Sequence, residues 1–275
     1  DITIDAEDDA LHSTISVAVT NGTLRLSSGD DGIHSDDLVA ISGGEINISK
    51  SYEGIEGGTI TVSGGTIDLT SSDDGFNAAG GADSSASNGP RGNDPFAVDT
   101  SKSLVISGGT ITVNADGDGL DSNGTMSISG GTIYVSGPTA SNNGALDSGS
   151  TMTISGGTII AAGSAGMAQT FDETSTQTSI SYTFTSVQQA GTTITLKDAS
   201  GNVIASYTPE KVYQSVVISA PGLTIGQGYT LYTGSTSVET ITLSGVVTTI
   251  GSGNAAGGMN GNFGSGQRPD GGRRR

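Results

Sequence analysis

Cysteine and tryptophan are absent from this 275-residue chain, and aromatic residues make up only 4% of it. No disulfide framework or thiolate metal site is therefore available. Large apolar side chains are too sparse for an ordinary globular α/β enzyme. No apolar run approaches the ~20 residues of a membrane-spanning helix. Positive charge is scarce too. Ten Lys and Arg stand against 28 Asp and Glu, a formal net charge of −18. A protein that tracks nucleic-acid phosphates is basic, so that class is excluded as the default. The balance favours metal ions or neutral, hydroxyl-rich ligands. The first residue is Asp1 rather than Met, which leads to the expectation that an upstream segment has been removed. With the polar composition and an expected metal dependence, this points to a secreted, extracellular or cell-surface protein.

What is present is glycine, 45 residues of it, set out with a period. Ile41-Ser-Gly-Gly44, Val62-Ser-Gly-Gly65, Ile106-Ser-Gly-Gly109, Ile128-Ser-Gly-Gly131 and Ile154-Ser-Gly-Gly157 are near-copies of one phrase. Each precedes a run alternating apolar and polar residues, such as Thr110-Ile-Thr-Val113, which reads as a half-buried strand. The Gly-Gly pair gives the backbone freedom at a corner. Upstream of each phrase stands an apolar anchor: Leu11, Ile33, Ile55, Phe76, Val98, Leu120 and Leu146. The steps between anchors are 22, 22, 21, 22, 22 and 26 residues. A period near 22 holds three short strands and three turns, one coil of a solenoid. The expected fold is all-β: a right-handed parallel β-helix with about 22 residues per coil, a C-terminal antiparallel β cap and a Gly-rich tail. The expected divisions are 1–168, 169–250 and 251–275. One copy is irregular, because 78–95 has loop composition and reads as an insertion in one turn.

The acids follow the same period. Two residues before the anchor stand Asp9, Asp31, Glu53, Asp74 and Asp118. One residue after it stand His12, His34, Glu56, Asn77, Asp99, Asp121 and Asp147. Adjacent acids include Asp30, Asp73 and Asp116. Stacking at the ~4.8 Å spacing of neighbouring strands places like charges where repulsion is roughly 1 kcal/mol per pair in water, and several-fold more at an effective dielectric near 20. Calcium oxygen ligands lie ~2.3–2.6 Å from the ion, so ligands on opposite sides of it are ~5 Å apart. One Ca2+ per coil step would relieve the column. The candidate ligands are Asp30, Asp31, Glu53, Asp73, Asp74, Asp116, Asp118, Asp121 and Asp147. Turn formation by Asp is the competing reading. The stretch Asp116-Gly-Asp118-Gly-Leu120-Asp121 fails as an EF-hand loop, since Leu120 occupies the fifth position. His12 and His34 occupy equivalent positions, more as polar members of the column than as a metal pair.

A lyase base would come from Arg25, Lys50, Arg91 or Lys102 within the repeats. Lys50 lies beside the acids, which raise an amine pKa and so oppose that role. No carboxylate pair stands out for glycoside hydrolysis. Binding is favoured over catalysis, with Lys50, Tyr52, Arg91 and Lys102 as ligand contacts. Beyond Met167 the repeat stops. Ser179–Val187, Thr192–Lys197, Val203–Tyr207, Tyr213–Ser219, Tyr229–Tyr232 and Val238–Leu243 alternate like antiparallel strands, as a cap over the open solenoid end would require. The last residues form a Gly-rich tail with a basic tip, suited to self-assembly against an acidic face.

Several phrases carry a resemblance: Ser72-Asp-Asp-Gly-Phe-Asn-Ala-Ala-Gly80, Asp116-Gly-Asp-Gly-Leu-Asp-Ser-Asn-Gly124, Ser136-Gly-Pro138, Gly144-Ala-Leu-Asp147 and Ala161-Ala-Gly-Ser-Ala-Gly-Met-Ala168. Together they resemble a bacterial secreted carbohydrate-binding domain family, formerly a domain of unknown function, similar in architecture to calcium-dependent pectate lyases. The resemblance implies bound calcium and binding of pectic or cellulosic cell-wall polysaccharide. It carries over to Asp73, Asp74, Asp116, Asp118, Asp121 and Asp147. The Arg-Pro-Asp-Gly-Gly-Arg-Arg-Arg end departs from the family pattern. The alternatives are a filament subunit built by head-to-tail stacking and a polysaccharide lyase.

Overall fold

A computed structural model describes residues 1–79 and 98–251. Most of the expected insertion, with Arg91, lies outside the described residues, as does 252–275. Every regular element described is a strand. No helix among them is long and apolar enough to cross a membrane.

The 22-residue period becomes register in space. Three columns of parallel strands form a β-solenoid. The column after the Gly-Gly corners stacks Ile2, Leu24, Ile46, Ile67, Ile111, Ile133 and Ile159 on one another. The anchor column stacks Leu11, Ile33, Ile55, Phe76, Leu120 and Leu146. The third stacks Val17, Val39, Ile60, Leu104, Met126 and Met152. From Ile33 upward these anchors are all but closed to solvent. Each fully buried aliphatic side chain contributes roughly 1.5–3 kcal/mol. A thin stripe repeated coil after coil thus replaces the thick core the composition could not supply.

Val98 does not join the anchor column. Phe76 pairs directly with Leu120, and Val98 is 58% exposed. The extra residues enter between Ala78 and Ser103, at the turn before the third column, where Ser103 pairs with Thr59. Asp99 leaves the column with its neighbour. It is a turn former whose Oδ1 accepts from the Ser101 hydroxyl and N–H at 2.7 and 2.9 Å. A 22-residue step inside an insertion therefore imitates the repeat without sharing its register.

The two glycines of each corner serve different needs. Gly44 has φ of 92°, and its counterparts in the later phrases are similar, a backbone region that L side chains avoid. Gly43 instead sits where a Cβ would lie 2.4 Å from the Thr20 carbonyl oxygen of the preceding coil. One glycine turns the chain and the other lets coils approach.

The upper end of the solenoid is covered. Ile159–Gly163 pairs antiparallel with Ser215–Ser219, which pairs antiparallel with Ser179–Thr183. A further strand missed in the sequence, Val247–Ile250, runs parallel to Ser179–Tyr182. A separate antiparallel sheet orders Val203–Tyr207, Ile194–Asp198, Gly228–Thr233 and Thr236–Thr242. Tyr207 reaches back along the solenoid, stacking on Tyr134 with centroids 4.8 Å apart and its hydroxyl 2.8 Å from Ser136 Oγ.

Candidate metal centre

Four of the six anchors are preceded by the pattern Asp/Glu-Gly: Asp31-Gly32-Ile33, Glu53-Gly54-Ile55, Asp74-Gly75-Phe76 and Asp118-Gly119-Leu120. The glycine is sterically required. A Cβ on Gly75 would lie 2.5 Å from the Gly119 carbonyl oxygen and 2.4 Å from Val113. The coils close together here, and the acids on either side of the glycine inherit that closeness.

Most of the leading acids grip the next coil through one oxygen. The Asp31 N–H donates to Asp9 Oδ1 at 3.0 Å. Glu53 N–H donates to Asp31 Oδ1 at 3.2 Å. Asp118 N–H donates to Asp74 Oδ1 at 2.6 Å, and Gly144 N–H to Asp118 Oδ1 at 2.5 Å. These charge-assisted bonds stitch coil to coil. The turn-former reading is thus half right: the acids serve the backbone, but of the neighbouring coil rather than their own turn.

At the upper end the remaining oxygens converge. Asp118, Asp121 and Asp147 each offer one oxygen, all within 4.8 Å of one another. Burial, reinforced by neighbouring carboxylates, pushes Glu53, Asp74 and Asp121 well above the ordinary carboxylate value. Burial also drives Asp118 up to about 7; the Gly144 N–H opposes this and the Asp147 charge adds to it. Asp147 is raised by burial, with partial relief from the Ser148 N–H and Gln169. Among the described side chains two amides donate to this group: Asn77 Nδ2, 2.9 Å from Glu53 Oε2, and Gln169 Nε2, which donates to Asp147 Oδ1. Three desolvated carboxylates with oxygens this close suit a hard divalent cation of Ca2+ type. Asp118, Asp121 and Asp147 would hold it.

The other expected residues are placed as follows. Asp73 lies beside the cluster and accepts a hydrogen bond from the Tyr52 hydroxyl, which drives the phenol pKa upward. Asp31 belongs to the lower coils, 3.1 Å from His34 Nδ1. Asp30 groups with Asp8 and Asp9 near the lower surface. Asp116 stands apart, its side chain 68% exposed and paired with Lys211 at 3.0 Å. Lys50 is exposed, Tyr52 is 43% exposed, and Lys102 reaches over Gly58. No contact joins these three into one patch among the described residues. Gln169 was missed, although it follows Asp147 by another 22 residues and so continues the column.

The histidines are stacked, with ring centroids 4.9 Å apart and planes at 13°. His34 is fully buried. Its Nδ1 lies 3.1 Å from Asp31, 3.2 Å from Glu56 and 3.5 Å from Asp9, and its Nε2 lies 3.4 Å from Asp36. His12 Nδ1 lies 2.8 Å from Asp9 Oδ2. Elsewhere a cleft of about 720 Å³ opens between the last coils and the C-terminal strands, lined by Ser164, Thr183, Phe184 and Gln214 among others. It carries no carboxylate and is separate from the column.

Comparison with known proteins finds no matching family model, no similar curated protein and no similar solved structure.

Proposed function

We propose that this chain is an extracellular calcium-binding β-solenoid that holds cell-wall polysaccharide, pectic or cellulosic, without cleaving it. The observation that carries the reading is the convergence of Asp118, Asp121 and Asp147 within 4.8 Å, in a setting that disfavours their charge. Calcium takes six to eight oxygens. Three side chains leave positions for water and for carboxylate or hydroxyl oxygens of a glycan. A chain of net charge −18 repels a polyuronate, so a bridging cation is what would join the two. The phrases that resemble a secreted carbohydrate-binding family include all three ligands.

Catalysis is not part of the reading, because the lysine that pairs with Asp116 beside the acidic column is already engaged. Lys211 Nζ donates to the Ala115 carbonyl and to Asp116. Head-to-tail stacking into a filament is also set aside, since the Ile159–Gly163 edge is already paired with Ser215–Ser219.

The test is retention on immobilised polygalacturonate and on cellulose, paired with calorimetric Ca2+ titration. The expected result is Ca2+ uptake and retention of the wild type. On polygalacturonate the retained protein is released by chelator, and Asp121→Asn loses both activities. Absence of Ca2+ uptake, or absence of retention on both matrices at saturating Ca2+, overturns the proposal.

A further inference from the structure

We propose a second metal site in the lowest coils, specific for a zinc-type transition ion and built from Asp9, His12 and His34, with Asp31 beside it. It stands apart from the calcium reading and uses different residues.

The register brings the donors together. His12 pairs with His34 across adjacent coils, so the rings stack nearly parallel with both Nδ1 atoms turned to the same carboxylate oxygen. Asp9 Oδ2 lies 2.8 Å from His12 Nδ1 and 3.5 Å from His34 Nδ1. Asp31 Oδ2 lies 3.1 Å from His34 Nδ1. A four-coordinate Zn2+ holds nitrogen and oxygen ligands at ~2.0–2.2 Å, which sets ligand-to-ligand edges of about 3.3 Å. The Asp9–His12 and Asp9–His34 edges, 2.8 and 3.5 Å, bracket that length.

Hydrogen bonding alone accounts poorly for the arrangement. One imidazole nitrogen carries at most one proton, and that proton serves one acceptor well. Around His34 Nδ1 stand oxygens of Asp9, Asp31 and Glu56, all within 3.5 Å. Asp9 Oδ2 is in turn shared by both rings. A divalent ion held by Asp9, His12 and His34, whose donor atoms lie within 4.8 Å of one another, satisfies both rings at once and offsets the facing carboxylates. The donor set also separates the two centres. Imidazole nitrogen suits Zn, Ni and Cu, whereas an all-oxygen set suits Ca2+ and Mg2+. The upper cluster has no imidazole, and both imidazoles of the chain are here.

The experiment is equilibrium dialysis of tag-free, full-length protein against Zn2+ in excess Ca2+, with bound metal counted by elemental analysis. Co2+ serves as a spectroscopic stand-in. The expected result is one Zn2+ per chain that Ca2+ does not displace, and a strong visible Co2+ band of four-coordinate type. His12→Ala and His34→Gln are each expected to weaken Zn2+ by more than about 100-fold, beyond the 10- to 100-fold typical of outer-shell partners. Asp121→Asn leaves Zn2+ binding unchanged. The His12 side chain is 44% exposed, so its removal tests the site even where the buried His34 variant does not fold. No Zn2+ uptake in calcium, or equal uptake by wild type and His12→Ala, overturns the proposal.

Discussion

The two ends of the acidic column solve one electrostatic problem in different ways. In the lower coils, Asp9, Asp31 and Glu56 surround the His34 imidazole. In the upper coils, Asp74, Asp118, Asp121 and Asp147 face one another, and among the described residues relief comes from backbone N–H groups and the Gln169 amide. Backbone and repeat are shared, so the difference lies in the residue after the anchor: histidine in the first two coils, acid or amide above. The same period therefore builds a segment whose acids face imidazole nitrogen and one whose acids face other carboxylates.

The largest effect expected is the one that destroys the lower compensation. His34→Leu keeps the volume roughly but takes the imidazole away from Asp31 and Glu56, while Asp9 keeps only His12. Breaking one partner out of a buried ionic group costs about 3–5 kcal/mol. Urea unfolding in chelator is expected to show a loss of that size. At the upper end the sign reverses. Carboxylate oxygens within 4.8 Å of one another repel by about 3 kcal/mol or more at an effective dielectric of 20, part of which protonation already relieves. Asp121→Asn is thus expected to stabilise the metal-free protein by about 1 kcal/mol and to lower the gain that Ca2+ gives the wild type. A destabilised metal-free Asp121→Asn would erase the contrast between the ends.

A third effect is in pH. Glu53, Asp74, Asp118, Asp121 and Asp147 all have carboxyl pKa values raised in the fold. For Asp118 the span runs from 3.8 to about 7. In that window the unfolded chain has lost its proton while the folded one keeps it. The folded state binds more protons, so stability falls as pH rises through the window and levels off above it. Thermal unfolding in chelator is expected to show this fall from pH 4 towards pH 7. With saturating Ca2+ the slope should flatten, because the ion takes the place of the protons. Proton release on adding Ca2+ near neutral pH is the matching calorimetric signature.

How much of this was legible depended on whether a property was set by period or by path. The anchors from Leu11 to Phe76, and then Leu120 and Leu146, were readable because apolar residues recurred on the step that the coils use. The same rule misled at Val98, whose step of 22 belongs to an inserted turn; periodicity cannot distinguish a coil from an insertion of equal length. The fold's parallel columns and antiparallel end followed from Gly-Gly corners and alternating strands. Val247–Ile250 escaped notice because four residues leave little alternation to see. At the site, the stacking of His12 on His34 was readable from equal spacing. The turning of both Nδ1 atoms toward Asp9 was not, since ring orientation comes from side-chain packing. The coil-to-coil grip of Asp74 and Asp118 on backbone N–H groups was also invisible, because it depends on how closely glycine lets the coils approach.

Asp116 supplies the smallest effect and the sharpest check on where the upper centre ends. It stands two residues before Asp118 and in the same family-like phrase, so spacing alone groups it with the ligands. Yet its side chain is 68% exposed and its partner is Lys211, reaching from the C-terminal segment. A pair whose carboxylate is exposed in this way contributes about 0–1 kcal/mol, and surface substitutions usually stay within about 0.5 kcal/mol. Asp116→Asn is therefore expected to shift the urea midpoint little and to leave Ca2+ affinity where it was. Asp121→Asn, five residues along the chain, is expected to change both. Lys211 also donates to the Ala115 carbonyl, so the ammonium keeps a partner when Asp116 loses its charge. Calorimetric Ca2+ titration of the two variants side by side decides the matter. If Asp116→Asn lowers affinity as much as Asp121→Asn, the centre extends to the surface and Lys211 competes with the ion for Asp116. Equal affinity of Asp116→Asn and wild type confines the ion to carboxylates that the coil spacing, rather than sequence proximity, has brought together.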